Sequence, residues 1–275
     1  MGIWLVLGLG ALQGLTEFLP VSSSGHLRLL AAWFGVEDPQ TLFDILMHVG
    51  TLLAVFVVYR KLFGKMLNAL WRLIRAPSTW PSEPYARVAV FAAIATVPTG
   101  IIAIAAGDAM ESLSAAPWVV GVALLVNGCI LLFLGRLSSR SSATSDGRSL
   151  EELKLSDALL VGTVQGLGIF RGISRSGSTI TAGLVTGLRQ DAAAAFSFVL
   201  SVPAILGALV LKFDSSAVAS ADQAWLYLAG AVTSGVVGTA ALIAVLRLLR
   251  GGRLHVFAWY CFAVGAIAIA FDLTH

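Results

Sequence analysis

The chain has 275 residues, of which 57% are hydrophobic and 12% charged, with a formal net charge of +3. Soluble domains carry about 25% charged residues, so this composition excludes an ordinary soluble domain and indicates a protein that crosses a membrane several times. Cys129 and Cys261 both fall within apolar stretches, which supports neither a disulfide framework nor a CxxC metal site.

In chain order, the first apolar residues, 3–18, lack a basic leader, so they read as part of the fold and not as a cleaved signal. A break at PVSSSG separates them from a second apolar piece, 26–36. A bilayer crossing needs roughly 20 apolar residues, so each piece is too short to span alone and the pair is predicted to re-enter. Full spans follow at 41–59, 86–106 and 117–137, then a serine-rich stretch, 138–149, that reads as a flexible linker. A second interrupted pair, 157–170 and 179–188, flanks RGISRSGS, and spans at 191–211, 224–246 and 254–272 complete the chain. The predicted fold is an all-α polytopic membrane protein with six transmembrane helices and two re-entrant helix-loop-helix segments. Non-helical backbone at membrane depth survives only where protein or a water-filled cavity satisfies it, so each break marks a site or a buried crossing.

Most of the Lys and Arg residues lie in segments 60–87 and 136–156, at Arg189, and at Arg247, Arg250 and Arg253. The opposite loops, 107–116 and 212–223, carry Asp108, Glu111, Asp214 and Asp222 against Lys212. By the positive-inside rule the basic loops face the cytoplasm and both termini lie outside. The first interrupted region then enters from the outer face and the second from the inner face. Topology accounts for the basic excess, so nucleic-acid binding is unnecessary.

The two interrupted regions are similar. Shifted by 152 residues, QGLTEFLPVSSSGHL (13–27) matches QGLGIFRGISRSGST (165–179) at seven positions. One residue further on, FDILMHVGTLL (43–53) lies on FSFVLSVPAIL (196–206). This reads as an inverted-topology repeat: 1–137, a linker at 138–156, and 157–275, together one membrane domain. In such folds the broken helices meet near the midplane and form the binding site.

Bringing the tips together sets Glu17, Ser22, Ser23, Ser24 and His26 opposite Arg171, Ser174, Arg175, Ser176 and Thr179. Ionisable groups at that depth are costly and functional by default. Guanidinium groups suit phosphate oxygens, and a carboxylate near a histidine and a serine can activate a nucleophile or move a proton. The inferred site binds a phosphorylated group. Plainer readings stand beside this one: the serines as readily cap helices, and Glu17 with Arg175 can form a structural ion pair. Asp44 and His48, four apart on one face, either support the site or mark a solvated helix end. Asn127 reads as an interhelical hydrogen bond, Pro98 as a kink, and Gly230, Ser234 and Gly238 as a packing stripe.

QGLTEFLPVSSSGHL resembles the first signature of the bacterial undecaprenyl-diphosphate phosphatases (the bacitracin resistance family), and GISRSGSTITAGL resembles the second. The similarity runs along the whole chain. It implies the inverted-repeat, re-entrant fold and hydrolysis of undecaprenyl diphosphate at the outer face of the cytoplasmic membrane. That reaction recycles the lipid carrier of peptidoglycan synthesis and confers bacitracin resistance, with a divalent cation, Mg2+ or Ca2+. Glu17 matches the family's second acidic position, Ser22 and Ser23 its serine pair, and His26 its histidine. Ser174, Arg175, Ser176 and Thr179 match the second motif. Two positions depart from the pattern: Gln13 replaces the first acidic residue, and Arg171 replaces a usual proline. The resulting expectation has Ser23 as nucleophile, His26 as its base, and Glu17 orienting His26 or holding the cation, with Gln13 a further candidate ligand. Arg175 is expected to hold the phosphates with Arg171, and Ser22, Ser174, Ser176 and Thr179 to line the substrate. Direct attack by His26 is the alternative. The rival class is an inverted-repeat transporter or flippase for polyprenyl phosphate, and the weaker third is a non-catalytic lipid-binding partner of a cell-wall assembly. Expected partners are the lipid and the membrane, with a homodimer left open.

Overall fold

The computed structural model describes residues 2–35, 41–142, 147–212 and 221–274. Among these the chain forms α-helices and short 3-10 turns, with one isolated bridge between Arg148 and Leu188. Helices α1 (Ile3–Phe18) and α2 (Ser23–Phe34) form the first hairpin, followed by α3 (Thr41–Val58), α4 (Arg60–Arg75), α5 (Pro84–Leu113) and α6 (Pro117–Ser142). The second half holds the hairpin α7 (Leu155–Leu167) and α8 (Arg175–Val185), then α9 (Gln190–Lys212), α10 (Ala221–Arg250) and α11 (Phe257–Thr274). Among the described residues five helices are long and apolar enough to cross a bilayer, and α3 with the bent α4 counts as a sixth, in line with the six predicted spans.

Local chemistry explains each break. Proline disfavours helical backbone in the preceding residue, and Leu19, ahead of Pro20, is extended at φ −61°, ψ 138°. Ser22 then adopts φ 69°, and its hydroxyl caps α2 by accepting from the Gly25 N–H at 3.3 Å. Ser174 occupies the equivalent place in the second hairpin and accepts from the Gly177 N–H at 3.1 Å. The serine repeat is thus first a pair of helix starts.

The hairpins cross over. Helix α1 packs on α10 and α7 on α5, while α3 also lies on α10 and α9 on α5, and α6 pairs with α11. Each half therefore seats its first helix on the long helix of the other, the pattern expected of two copies of one unit related by a two-fold. Small residues permit this approach, since van der Waals packing is what joins helices in lipid. A Cβ on Gly10 would stand 2.6 Å from the Gly230 carbonyl oxygen, and one on Gly162, its counterpart, 2.0 Å from that of Ala95. The Gly230, Ser234 and Gly238 stripe is the seat for α1, where a Cβ on Gly14 would meet the Ser234 oxygen at 2.5 Å. Because backbone faces Gly162, the Gly162→Val side chain has nowhere to go. Overpacking costs about 1–3 kcal/mol, and a lower midpoint of thermal unfolding in detergent is the expected result.

Two segments differ from the sequence reading. Segment 60–87 carries the charge of a basic loop, yet its residues to Arg75 form helix α4, bent by 81° from α3. Met66 and Ala69 bury one side of it, and the helical spacing of those residues lies hidden among the cations. The 138–149 stretch is also more structured than a flexible linker: α6 runs on to Ser142, and residues 147–154 dock on the second hairpin. Arg148 exchanges backbone bonds with Gly187 and Arg189, and its guanidinium reaches Asp157 at 2.6 Å. Leu150 and Leu153 are buried, which ties this polar run to the core. Residues 143–146 of that stretch, and Asp214 of the outer loop, lie outside the described residues.

Candidate active site

The two tips meet and lock. Besides capping α2, the Ser22 hydroxyl accepts from the Gly172 N–H across the gap at 3.0 Å. Gly172 has φ 104°, and any side chain there would collide with Ala123 at 2.5 Å, so only glycine fits. Asn127, midway along α6, donates to the Pro20 carbonyl at 2.8 Å and accepts from the Ser174 N–H at 3.0 Å. One buried amide therefore ties both breaks together and satisfies backbone groups that lipid could not.

This lock places Glu17, at the end of α1, beside Arg175, at the start of α8. The Arg175 guanidinium donates to Glu17 Oε1. Glu17 Oε2 accepts from the Ser23 hydroxyl at 2.9 Å and from Gln13 Nε2 at 2.9 Å. His48 Nε2 stands 3.5 Å from the same oxygen, its ring oriented by an Nδ1 contact to the Asp44 carbonyl at 2.9 Å. Glu17 and Gln13 are buried, while Ser23, His48 and Arg175 keep partial exposure. A serine hydroxyl thus rests on a buried carboxylate next to a guanidinium and an imidazole.

The structure brings Glu17, Ser23 and Arg175 together and turns His26 elsewhere. His26 Nδ1 contacts the Ser22 carbonyl at 2.8 Å and Nε2 the Tyr260 hydroxyl at 2.8 Å, the two rings stacking at 5.6 Å. The histidine beside Glu17 is His48. Its signal in the sequence was the Asp44-to-His48 spacing in FDILMHVGTLL, one of two readings weighed there.

The remaining candidates line the tips with their hydroxyls engaged. Ser174 and Ser176 share a contact at 3.2 Å, and Ser176 also reaches the Phe18 carbonyl at 3.4 Å. Thr179, fully buried, donates to the Arg175 carbonyl at 2.8 Å and lies 2.5 Å from Ser197 Oγ. Arg171 pairs with Glu111 at the end of α5, at 3.0 Å.

Chemically, Arg175 offers charge-assisted donors to an anion, and the Ser23–Glu17 pair offers an oxygen nucleophile with a base attached. Fold and site define a multi-pass membrane protein with a buried carboxylate, a serine and a guanidinium gathered at the junction of two broken helices. The family model described as Bacitracin resistance protein BacA matches residues 6–267. The chain is 41% identical to the undecaprenyl-diphosphatase of Desulfatibacillum aliphaticivorans over 97% of its length and 98% of the relative's. It is 39% identical to that of Desulforapulum autotrophicum and 38% identical to that of Methanosphaera stadtmanae, each over 95% of both chains. The chain belongs to the bacitracin resistance (BacA) family.

Proposed function

We infer that this chain hydrolyses undecaprenyl diphosphate to undecaprenyl phosphate and inorganic phosphate, and thereby confers resistance to bacitracin. The observation that carries the reading is the Ser23–Glu17–Arg175 cluster where the two tips meet. The relatives' names add a phosphatase activity and give no support to the carrier alternative. Phosphate release from undecaprenyl diphosphate by the purified chain is the test. Binding of the lipid without release would favour a carrier or a lipid-binding partner.

In the proposed reaction Arg175 exchanges its hold on Glu17 for the diphosphate oxygens and stabilises charge as the terminal phosphoryl group transfers. Ser23 attacks that phosphorus and its proton passes to Glu17. Undecaprenyl phosphate leaves as a weakly basic anion and needs no proton. Water then attacks the phosphoserine, the proton held by Glu17 passes to the departing Ser23 oxygen, and phosphate leaves carrying the protons of the water. His48 sits where it can balance the charge of Glu17 as the proton moves.

A divalent cation, Mg2+ or Ca2+, remains part of the proposal. The donor set fits such an ion: Gln13 Nε2 donates to Glu17 Oε2 at 2.9 Å, and the buried Oε1 of the same amide has no hydrogen-bond partner. Glu17 and Gln13 would hold it, with water and substrate phosphates supplying other oxygens. When bound, it would neutralise phosphate charge. In Gln13→Glu two carboxylates face each other, so a cation is bound more strongly. The cation concentration for half-maximal activity is expected to fall by roughly tenfold or more, the scale on which residues around a metal act. A titration of activity against Mg2+ and Ca2+ reads it. An unchanged midpoint would make Gln13 a packing amide, like Gln165.

In the same proposal the chain lies in the cytoplasmic membrane with both termini and the active site's entrance on the outer side. The basic loops support this orientation. In a Cys129→Ala, Cys261→Ala background, Ser142→Cys is expected to resist an impermeant thiol reagent in intact cells and to react after permeabilisation. Labelling from outside would invert the topology.

A further inference from the structure

Away from the active site, the corner between α3 and α4 holds a cavity of about 440 Å3 lined by Val58, Tyr59, Arg60, Lys61, Leu62 and Lys65. Three cations face it and no carboxylate lines it. Helix α4 contains no acidic residue, and its polar side carries Arg60, Lys61, Lys65, Arg72 and Arg75. Of these Arg72 is neutralised by Glu83, with bonds of 2.6 and 2.9 Å. Lys65 donates to the Tyr85 hydroxyl at 3.0 Å, which in turn donates to Glu151, so its charge is offset in part and the uncompensated cations of the corner are Arg60 and Lys61.

A second observation concerns the apolar side. Met66 and Ala69 pack inward, yet Leu67, Trp71 and Ile74 stand out at 67%, 55% and 72% exposure. They form one helical edge, and the Arg75 guanidinium lies 4.6 Å over the Trp71 ring. A soluble protein would not display such an edge beside a row of cations. A helix with cations on one side and Trp or Leu on the other lies along a bilayer interface, its apolar edge among acyl chains. A row of basic residues there is attracted to anionic headgroups.

We propose that the α3–α4 corner is a binding site for an anionic bilayer phospholipid. Its phosphate sits in the cavity between Arg60, Lys61 and Lys65, and its acyl chains run along Leu67, Trp71 and Ile74. The site is separate from the Ser23–Glu17–Arg175 cluster and does not depend on the reaction proposed for it.

Thermal unfolding of the full-length chain in detergent tests this, with phosphatidylglycerol, phosphatidylcholine and glycerol 3-phosphate as probes. Phosphatidylglycerol is expected to raise the midpoint at concentrations where the other two do not. Arg60→Gln and Lys61→Gln should each weaken that response roughly fivefold, the loss corresponding to about 1 kcal/mol per basic residue near an anionic surface. Both variants should keep wild-type turnover in neutral detergent, since neither residue touches the active site. Three results would each overturn the proposal: equal stabilisation by phosphatidylcholine, unaltered phosphatidylglycerol response in both variants, or glycerol 3-phosphate acting as strongly as the lipid.

Discussion

Arg175→Ala is expected to lower kcat/KM by about 10²–10³, the loss seen when one donor to transition-state charge is removed. Two effects combine. The phosphoryl group loses its guanidinium, and Glu17 loses the counter-charge donated to Oε1. Removing one partner of a buried pair leaves an uncompensated charge. Arg175 retains 18% side-chain exposure, so water softens that second effect. Arg175→Lys separates the two, because an ammonium restores charge but not the planar fork. It should recover much of the stability and only part of the activity. Steady-state kinetics together with unfolding midpoints of both variants check this, and wild-type turnover in Arg175→Ala would remove the guanidinium from the mechanism.

The larger loss is expected in Ser23→Ala. An activated serine nucleophile is worth roughly 10⁴–10⁶ in kcat; with phosphate binding proposed to rest on Arg175, KM should change little. The comparison with the two histidines is informative. His48 stands 3.5 Å from Glu17 Oε2, whereas His26 is held between the Ser22 carbonyl and Tyr260. A group that balances a proton transfer contributes about 10²–10⁴. His48→Gln should therefore lose more kcat than His26→Gln, and its loss should depend on pH. The reverse order would restore His26 as the acting histidine.

Much of this fold could be read from sequence because lipid leaves few choices. Each full span is a long apolar run, and each break is written in Pro20, Gly172 and the serines that start α2 and α8. The repeat was visible in seven shared positions, and its consequence in space is the crossed seating of α1 on α10 and α7 on α5. Helix α4 was hidden because its cations dominate composition, and composition speaks for loops. The docking of 147–154 was hidden because two leucines, Leu150 and Leu153, anchor an otherwise polar run.

The site was legible in part. Glu17, Ser23 and Arg175 stood out as polar groups at membrane depth, and the structure brings them within hydrogen-bond reach. The pairing of Glu17 with His48 was not, because it depends on how α3 leans on α1, which spacing along one strand of sequence does not encode. Proximity in sequence pointed to His26, three residues after Ser23. On helix α2 the His26 ring is instead held between the Ser22 carbonyl and Tyr260 of α11, and the carboxylate is met by the Ser23 hydroxyl.

The most direct measurement is to trap the phosphorylated enzyme. Undecaprenyl diphosphate labelled in its terminal phosphate is mixed with the purified chain, quenched within one turnover, and the labelled peptide identified. An acid-stable phosphoserine at Ser23, absent in Ser23→Ala, is the expected result. An acid-labile phosphohistidine at His26, or at His48, would contradict it.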